Sequence, residues 1–333
     1  MKSLFLIISL SLSLTCFSQS ANHYSIINKI HLQGDGSWDY LSIDSKDRLF
    51  ISHGNIVQIV DTKDGRLLGT IENQNGVHGI AVAEKLNKGF ISNGKDSSVS
   101  VFDLKTFLIT EKVKMSGANP DAILFDLYSN KVFVFNGKSA NATVMDAVTN
   151  KVIATITLEG KPEFAVSDGK GKVYVNIEDK SMLTCINTKN LKIEASWPIA
   201  PGEEASGLAA DFKNQKLFIV CDNMKMIVFD LISGKVSDSL TIGSRTDGAA
   251  FDTGLNRAFS SNGDGTLTVV EKAGNKYVVL ESIPTQIGAR TICVDSKSHH
   301  LFLPTAEFEP IANGEKRPKI KPGTFVILEI APK

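Results

Sequence analysis

Cysteine, histidine and tryptophan are scarce in this sequence of 333 residues, which contains four, six and two of them respectively. The sequence also has no G-x-S-x-G, H-E-x-x-H, P-loop or C-x-x-C motif. These absences leave serine-hydrolase, zincin, nucleotide-binding and thiol-redox activities without a supporting motif. Any function must therefore come from another arrangement of side chains.

A long apolar run and an excess of charge are missing as well. The apolar stretch at residues 4–14 is too short to cross a bilayer. The 36 basic residues balance 36 acidic ones and are scattered through the chain. We therefore expect no membrane-spanning segment and no nucleic-acid partner.

The N-terminus has the features of a secretory signal. A basic start precedes the apolar stretch, and small residues suit a cut ahead of Gln19. We predict a signal peptide at residues 1–18 and export to the periplasm or the medium. Cys16 also allows a lipid anchor, although Thr15 fits a lipobox poorly. The mature chain carries a net charge of about −1.

Three cysteines follow the predicted cleavage point, at Cys185, Cys221 and Cys293, and each lies in an apolar run. Three thiols cannot all pair within one chain. We predict that they are buried and structural.

A repeat of about 42 residues runs along the mature chain. Its anchor is a short strand pattern with an aromatic second residue, and successive anchors are 40 to 44 residues apart. The seven anchors are Phe50, Phe90, Phe133, Tyr174, Phe218, Phe259 and Phe302. The flanking strand patterns are separated by turns rich in Gly, Asn, Asp and Lys, which favours propeller blades over a helical solenoid.

Each repeat contains four strand patterns, as in GLAADF, KLFIV, MIVFDL and VSDSLTI of the fifth repeat. The last repeat has only three. The segment at about 24–32 alternates like an outer strand, so we predict that it pairs with the last repeat and closes the ring. The prediction is an all-β, single-domain, seven-bladed β-propeller over residues 19–333, with four antiparallel strands per blade and almost no helix.

The repeat resembles that of the YVTN-repeat β-propellers, a family named after the strand that here reads VYVN at residues 173–176. A D-x-x-T-G-K turn belongs to the same repeat, and near matches begin at Asp61, Asp103, Asp146 and Asp230. The resemblance implies the propeller fold. It implies no single activity, because such propellers serve as binding modules, electron-transfer subunits and enzymes.

Two cofactors of similar propellers are not expected here. The copper cluster of nitrous oxide reductase is held by a crown of histidines, whereas only His53 and His78 fall in predicted loops at the channel mouth. The cytochrome d1 propellers have an additional blade, an axial histidine and a basic pocket, so the predicted seven blades and acidic ring argue against haem d1.

One Asp recurs at the end of the predicted inner strand in six of the seven repeats. The aligned positions are Asp44, Ala83, Asp126, Asp168, Asp211, Asp252 and Asp295. An Asp at such a position accepts hydrogen bonds from backbone N–H groups of the following tight turn. We interpret these residues as structural.

Five positions earlier, the loops that enter the inner strands contribute a second set, which we call the mouth ring. Its members are Asp39, His78, Asp121, Glu163, Ser206, Asp247 and Arg290. With a neutral histidine the ring sums to about −3, and a bound cation or cationic ligand would compensate that charge. The alternative is a solvated mouth in which Arg290 pairs with Asp247 or Asp39.

Other residues are expected near the same mouth. Loops after the anchor strands contribute polar residues that also suit turns, namely His53, Asn93, Asn136, Asn176, Asp222, Asn223 and Asn262. Trp38 and Tyr40 flank the ring, where they would stack on a ligand or fill the rim. The proline-rich loop at 304–323 is either a lid or disordered, and its Glu307 and Glu309 offer further oxygen ligands.

The preferred functional hypothesis is a binding module of the cell envelope that holds a small-molecule ligand or a partner protein at the mouth. Its candidate binding residues are Trp38, Asp39, His53, His78, Asp121, Glu163, Asp247 and Arg290. The alternative is a metal-dependent, lactonase-like hydrolase with Ca²⁺ or Mg²⁺ at the mouth. Its candidate metal ligands are Asp121, Glu163, Asn136 and Asn176.

Overall fold

A computed structural model describes residues 23–311, 315 and 318–333 of the chain. The predicted signal peptide at 1–18 and the alternative lipid anchor at Cys16 lie outside these described residues. The three cysteines at 185, 221 and 293 have free thiols. Cys185 and Cys221 are buried as predicted, and Cys293 is partly buried in an inner strand.

The described residues form 28 strands. In chain order they are β1 (Tyr24–His31), β2 (Trp38–Ile43), β3 (Arg48–His53), β4 (Ile56–Asp61), β5 (Leu67–Ile71), β6 (Val77–Ala83), β7 (Lys88–Asn93), β8 (Ser98–Asp103), β9 (Ile109–Lys114), β10 (Pro120–Asp126), β11 (Lys131–Asn136), β12 (Asn141–Asp146), β13 (Val152–Thr157), β14 (Pro162–Ser167), β15 (Lys172–Ile177), β16 (Met182–Asn187), β17 (Lys192–Pro198), β18 (Ala205–Asp211), β19 (Lys216–Cys221), β20 (Lys225–Asp230), β21 (Lys235–Thr241), β22 (Thr246–Asp252), β23 (Arg257–Asn262), β24 (Thr266–Ala273), β25 (Lys276–Pro284), β26 (Cys293–Asp295), β27 (His300–Thr305) and β28 (Val326–Pro332).

These strands form seven antiparallel sheets of four, which confirms the predicted seven-bladed propeller. Blades 1 to 6 each contain four consecutive strands, beginning with β2–β5. Blade 7 combines β26, β27 and β28 with β1, so the N-terminal strand closes the ring as predicted. Its register with β28 runs from Tyr24 opposite Pro332 to His31 opposite Val326.

The core lies between neighbouring blades and is built from the second and third strands of each sheet. The anchor aromatics predicted from the repeat are fully buried in six blades, and Tyr174 of blade 4 is 6% exposed. Outer strands are more exposed, as in β21, where every second residue is exposed. Two 3₁₀ turns, Glu84–Leu86 and Glu178–Lys180, are the helical structure of the described segments.

The recurrent Asp residues hold the turn after the inner strand. Asp44 accepts hydrogen bonds from the backbone N–H groups of Lys46 and Arg48 at 3.0 and 3.1 Å. Asp252 accepts from Gly254 and Leu255 in the same way. This geometry confirms the structural interpretation. In the described part of the chain, no helix has the length and apolarity that crossing a membrane requires.

Candidate functional site

A β-bulge places each mouth-ring side chain in blades 1 to 6. The pairing of the inner strand with its neighbour shifts register at the ring residue, for example between Trp38 and Leu41 around Asp39. The same irregularity recurs in β6, β10, β14, β18 and β22. A bulge re-aims a side chain that a regular strand would direct into the sheet face. The ring residues of these six blades therefore belong to the inner strands, not to the entering loops as expected.

His78 lies between two carboxylates of neighbouring blades. Its Nδ1 is 2.6 Å from Asp39 Oδ2 and 3.6 Å from Asp121 Oδ1. Burial alone lowers the pKa of His78, but the bond to Asp39 and the nearby carboxylates outweigh it and raise the pKa to about 9. At neutral pH His78 is thus a cation that donates to Asp39.

Glu163 pairs with a base that the sequence reasoning missed. Lys161 Nζ is 2.6 Å from Glu163 Oε1 and also bonds Glu178, whose side chain reaches the mouth from a 3₁₀ turn. Burial opposes the charge of Lys161, but its two carboxylate partners raise its pKa above the usual range. The sequence did contain a signal for this ion pair. Lys161 lies two residues before Glu163, and residues i and i+2 share one side of an extended chain.

Arg290 forms the third charged group of the ring. Its Nε donates to Asp247 Oδ2 at 2.7 Å, and an Nη donates to the carbonyl oxygen of Trp38 at 3.4 Å. The Ser206 hydroxyl donates to the other oxygen of Asp247 at 2.7 Å. Arg290 thus pairs with Asp247, one of the two partners that the sequence suggested.

The three groups together change the charge expected of the mouth. With His78 charged, the seven ring residues sum to about −2 instead of −3, and Lys161 adds a positive charge together with a second carboxylate partner, Glu178. Burial and the charge of Asp39 raise the pKa of Asp121 to about 7. Burial and the charge of Asp121 likewise raise the pKa of Glu163 to about 8. The ring supplies much of its own compensation, and it shares protons among carboxylates near neutral pH.

An aromatic pair closes the channel beneath the ring. Tyr40 of blade 1 and Phe164 of blade 4 lie on opposite sides of the axis, and their ring centroids are 4.3 Å apart. Burial and the surrounding carboxylates raise the pKa of Tyr40 well above its usual range. The residues below the pair border a small cavity of about 140 Å³. The mouth is therefore a recess with a floor, and Tyr40 fills the channel.

Trp38 and His53 do not reach this recess. Trp38 is 3% exposed and packs on Phe308 and Phe325 with centroid distances of 6.1 and 5.6 Å. His53 is 1% exposed, stacks on Phe325 at 3.8 Å and contacts Gln58 through Nδ1 at 3.1 Å. Burial lowers the pKa of His53, which favours its neutral form. The structure places both candidates in the core between blades 7 and 1.

Two of the four predicted metal ligands, Asn136 and Asn176, use their amide nitrogens within the protein core. Asn136 is fully buried, and its amide nitrogen donates to Asn141 Oδ1 at 2.8 Å within its own blade. Asn176 is also fully buried and donates to the carbonyl oxygen of Ser206 at 2.8 Å. Among the His, Cys, Asp and Glu side chains of the described residues, Asp39, His78 and Asp121 form a group with spacing suitable for a metal ion. Their ligand atoms lie within 4.8 Å of one another.

Buried polar side chains on the strands hold the ring carbonyl oxygens across blade boundaries. The Ser92 hydroxyl donates to the carbonyl of Asp121 at 2.5 Å, and Ser261 does so to Arg290 at 2.6 Å. Thr291 donates to the carbonyl of Asp39 at 2.7 Å. These supports were missed by the sequence reasoning. The signal for the two serines is a Ser directly before the last residue of the anchor strand, as in ISN and SSN.

The described part of the loop at 304–323 forms a short two-stranded arm. Phe308 pairs with Ile320, and the Glu309 N–H donates to the carbonyl oxygen of Lys319 at 2.9 Å. Glu307 pairs with Lys321 at 2.9 Å instead of joining the ring. The arm borders a cleft of about 1180 Å³ beside the mouth. The lining residues are Arg245, Gly263, Thr285, Gln286, Ile287, Gly288, Arg290, Ala306, Glu307, Phe308, Ile311 and Pro318.

No protein-family model and no curated protein matches this sequence. Solved structures are similar in fold. A chain of hydrazine synthase from Kuenenia stuttgartiensis has a TM-score of 0.72 and 14% identity, covering 82% of this chain and 94% of that one. A chain of a mitotic checkpoint complex has a TM-score of 0.75 and 8% identity, covering 91% and 95%. At these identities the similarity supports the seven-bladed propeller and nothing finer.

Proposed function

We propose that this protein is an exported propeller of the YVTN type that binds a ligand or a partner protein at the channel mouth. The observation that carries the proposal is the floored recess of the mouth ring. Charged side chains from six blades meet there in fixed pairs, above the Tyr40–Phe164 contact. A rigid concave site with a few positioned polar groups is what ligand recognition requires.

Preorganisation of the recess supports binding further. Six of the seven ring residues lie on strands, and the side chains of Ser92, Ser261 and Thr291 fix the carbonyl oxygens of Asp121, Arg290 and Asp39. The binding surface therefore loses little conformational entropy when a ligand arrives. Within the described residues, the acids and bases of the ring are paired with one another, and the Ser206 hydroxyl donates to the Asp247 carboxylate.

The apolar stretch at 4–14 and its basic start support export. The turns that begin at Asp103 and Asp146 support the YVTN assignment, because both carboxylates accept backbone N–H groups two and three residues ahead. A D-x-x-T turn needs its Asp for this reason.

Capture with a mouth variant tests the proposal. Wild type, Asp121→Ala/Glu163→Ala and Asp64→Ala would be immobilised and exposed to envelope extract and metabolites of the source organism. Asp64 lies in the turn after β4 on the opposite face, so its variant is the control. We expect mass spectrometry to find a protein or small molecule retained by wild type and Asp64→Ala and lost from the double variant. Equal retention by all three would contradict binding at the mouth.

One observation favours the metal-dependent hydrolase as a second candidate, namely the close ligand atoms of Asp39, His78 and Asp121. A cation there must displace the proton of His78, whose raised pKa makes this costly at neutral pH. Calorimetric titration of wild type and of Asp121→Ala/Glu163→Ala with Ca²⁺ and Mg²⁺ tests this candidate. Stoichiometric binding lost in the variant would support it and lead to lactone substrates; no binding in wild type would eliminate it.

A further inference from the structure

The cleft between the arm and blades 6 and 7 brings two arginines together. A Cβ on Gly263 would stand 3.1 Å from the Cβ of Arg245 and 3.6 Å from the Cβ of Arg290. Both side chains thus begin close to Gly263 and line the same cleft. Any larger residue at 263 would also meet the carbonyl oxygen of Arg245 at 2.8 Å, so glycine makes this close approach possible.

The positive charge at this end of the cleft is only partly neutralised. Arg290 uses one N–H for Asp247 and one for the Trp38 carbonyl, and three of its five N–H donors have no protein partner in the described residues. Arg245 is exposed and has no carboxylate within 4.0 Å among those residues. The acid of the cleft, Glu307, is paired with Lys321. Two arginines on one cleft, one of them without a carboxylate partner in the described part of the chain, favour the binding of an anion there.

Another part of the cleft wall is apolar, formed by Ile287, Phe308 and Ile311. Ile287 and Ile311 are 56% and 59% exposed and line the same cleft. Phe308 contributes its ring from the arm, and a Cβ on Gly288 would come within 2.7 Å of that ring, so the aromatic wall lies directly against the backbone. The cleft volume of about 1180 Å³ exceeds what a drug-sized molecule needs.

We propose that this cleft binds an organic carboxylate with an apolar body. The carboxylate lies between Arg245 and Arg290, since a guanidinium matches a carboxylate in geometry and charge. The apolar body packs against Ile287, Phe308 and Ile311. This inference rests on the proposed function and deepens it by naming the ligand class, with Arg290 joining the cleft to the mouth ring.

The test uses three probes that share one apolar chain: decanoate, decanol and decyltrimethylammonium. Each would be titrated calorimetrically into the full chain, the two ionic probes below their micelle concentrations and decanol below its solubility limit. We expect decanoate to bind with a stoichiometry of one, decanol to bind at least about tenfold more weakly because it lacks the charge-assisted bonds, and the cationic probe not to bind. Decanol binding as tightly as decanoate would overturn the proposal.

Two exposed substitutions in the cleft, compared with one control substitution elsewhere, localise the site without disturbing the core. Arg245→Gln removes one guanidinium and should weaken decanoate about tenfold, whereas Arg66→Gln, in a turn on the opposite face, should leave it unchanged. Ile287→Ser should weaken decanoate and decanol alike. If Arg245→Gln and Arg66→Gln gave the same affinity, the site would be elsewhere. If wild type does not bind decanoate but still captures a partner through the mouth ring, the ligand class is refuted and the proposed function is not. If wild type binds decanoate but captures nothing through the mouth ring, the proposed function is refuted and the ligand class is not.

Discussion

At the scale of single residues, the mouth is governed by competition between burial and pairing. A carboxylate that is removed from water holds its proton more tightly, and a base beside it has the opposite effect. For Asp121 and Glu163 burial wins, while for His78 the two carboxylates win. The positions of these residues followed from the repeat, but their protonation did not, because it depends on neighbours from other blades.

Replacing the partner of His78 tests this balance. In wild type we expect a pKa of about 9 for His78. Asp39→Asn should lower that value, because the 2.6 Å bond then lacks a negative acceptor. NMR titration of the imidazole resonances between pH 5 and 10 measures the effect.

The matched control is Asp222→Asn, which makes the same chemical change at an exposed loop position. It should leave the His78 titration as in wild type. A His78 titration that is identical in Asp39→Asn and wild type would show that Asp39 does not hold the imidazolium.

At the scale of strands and loops, much of the fold could be predicted because the repeat exposes it. Each anchor aromatic marks a buried second strand, and each recurrent Asp marks the turn before it. The bulges that aim the ring residues inward could not be predicted, since they arise from pairing between strands. Nor could the burial of Trp38 and His53, which depends on Phe308 and Phe325 about 270 residues further along the chain.

Closure by β1 gives a prediction about stability. Tyr24 is 1% exposed, and its ring centroid is 5.4 Å from that of Phe259 in blade 6. The Cζ atom of Arg257 lies over the Tyr24 ring, 5.5 Å from its centroid. Tyr24→Ala should lower the free energy of unfolding by about 3 to 5 kcal/mol, as for other large buried aromatics. Denaturant unfolding followed by circular dichroism measures this loss.

Ile27→Ala is the comparison within the same strand, because Ile27 is 53% exposed. Its effect should stay within about 0.5 kcal/mol. Equal losses for the two variants would mean that β1 contributes chain pairing but no specific packing to the closed ring.

At the scale of the whole molecule, seven blades converge on one axis, and this convergence concentrates charge that no single blade would carry. The Tyr40–Phe164 pair shuts out water from below, which increases the desolvation of the ring. In the ring, burial raises the pKa values of Asp39, Asp121 and Glu163, and the carboxylate neighbours of His78 raise its pKa despite its burial. Their protons link ligand-site chemistry to the stability of the entire propeller.

The sign of this linkage follows from the direction of the shifts. Asp121 and Glu163 have ordinary pKa values of 3.8 and 4.5 and rise to about 7 and about 8 on folding. His78 rises from 6.5 to about 9. The folded protein therefore binds more protons than the unfolded chain over each interval. Each contribution is complete below the lower value and is lost as pH rises through the upper one.

We therefore expect the denaturation midpoint to fall as pH rises from about 5 to 9, measured at several pH values under constant ionic strength. Asp121→Asn/Glu163→Gln replaces the two carboxyls by neutral groups of similar shape and should reduce this fall. The matched pair Asp222→Asn/Glu159→Gln changes two exposed acids and should reproduce the wild-type slope. A double mouth variant with the same slope as this control would show that the ring acids hold no proton at neutral pH, and that the recess presents their full negative charge to its ligand.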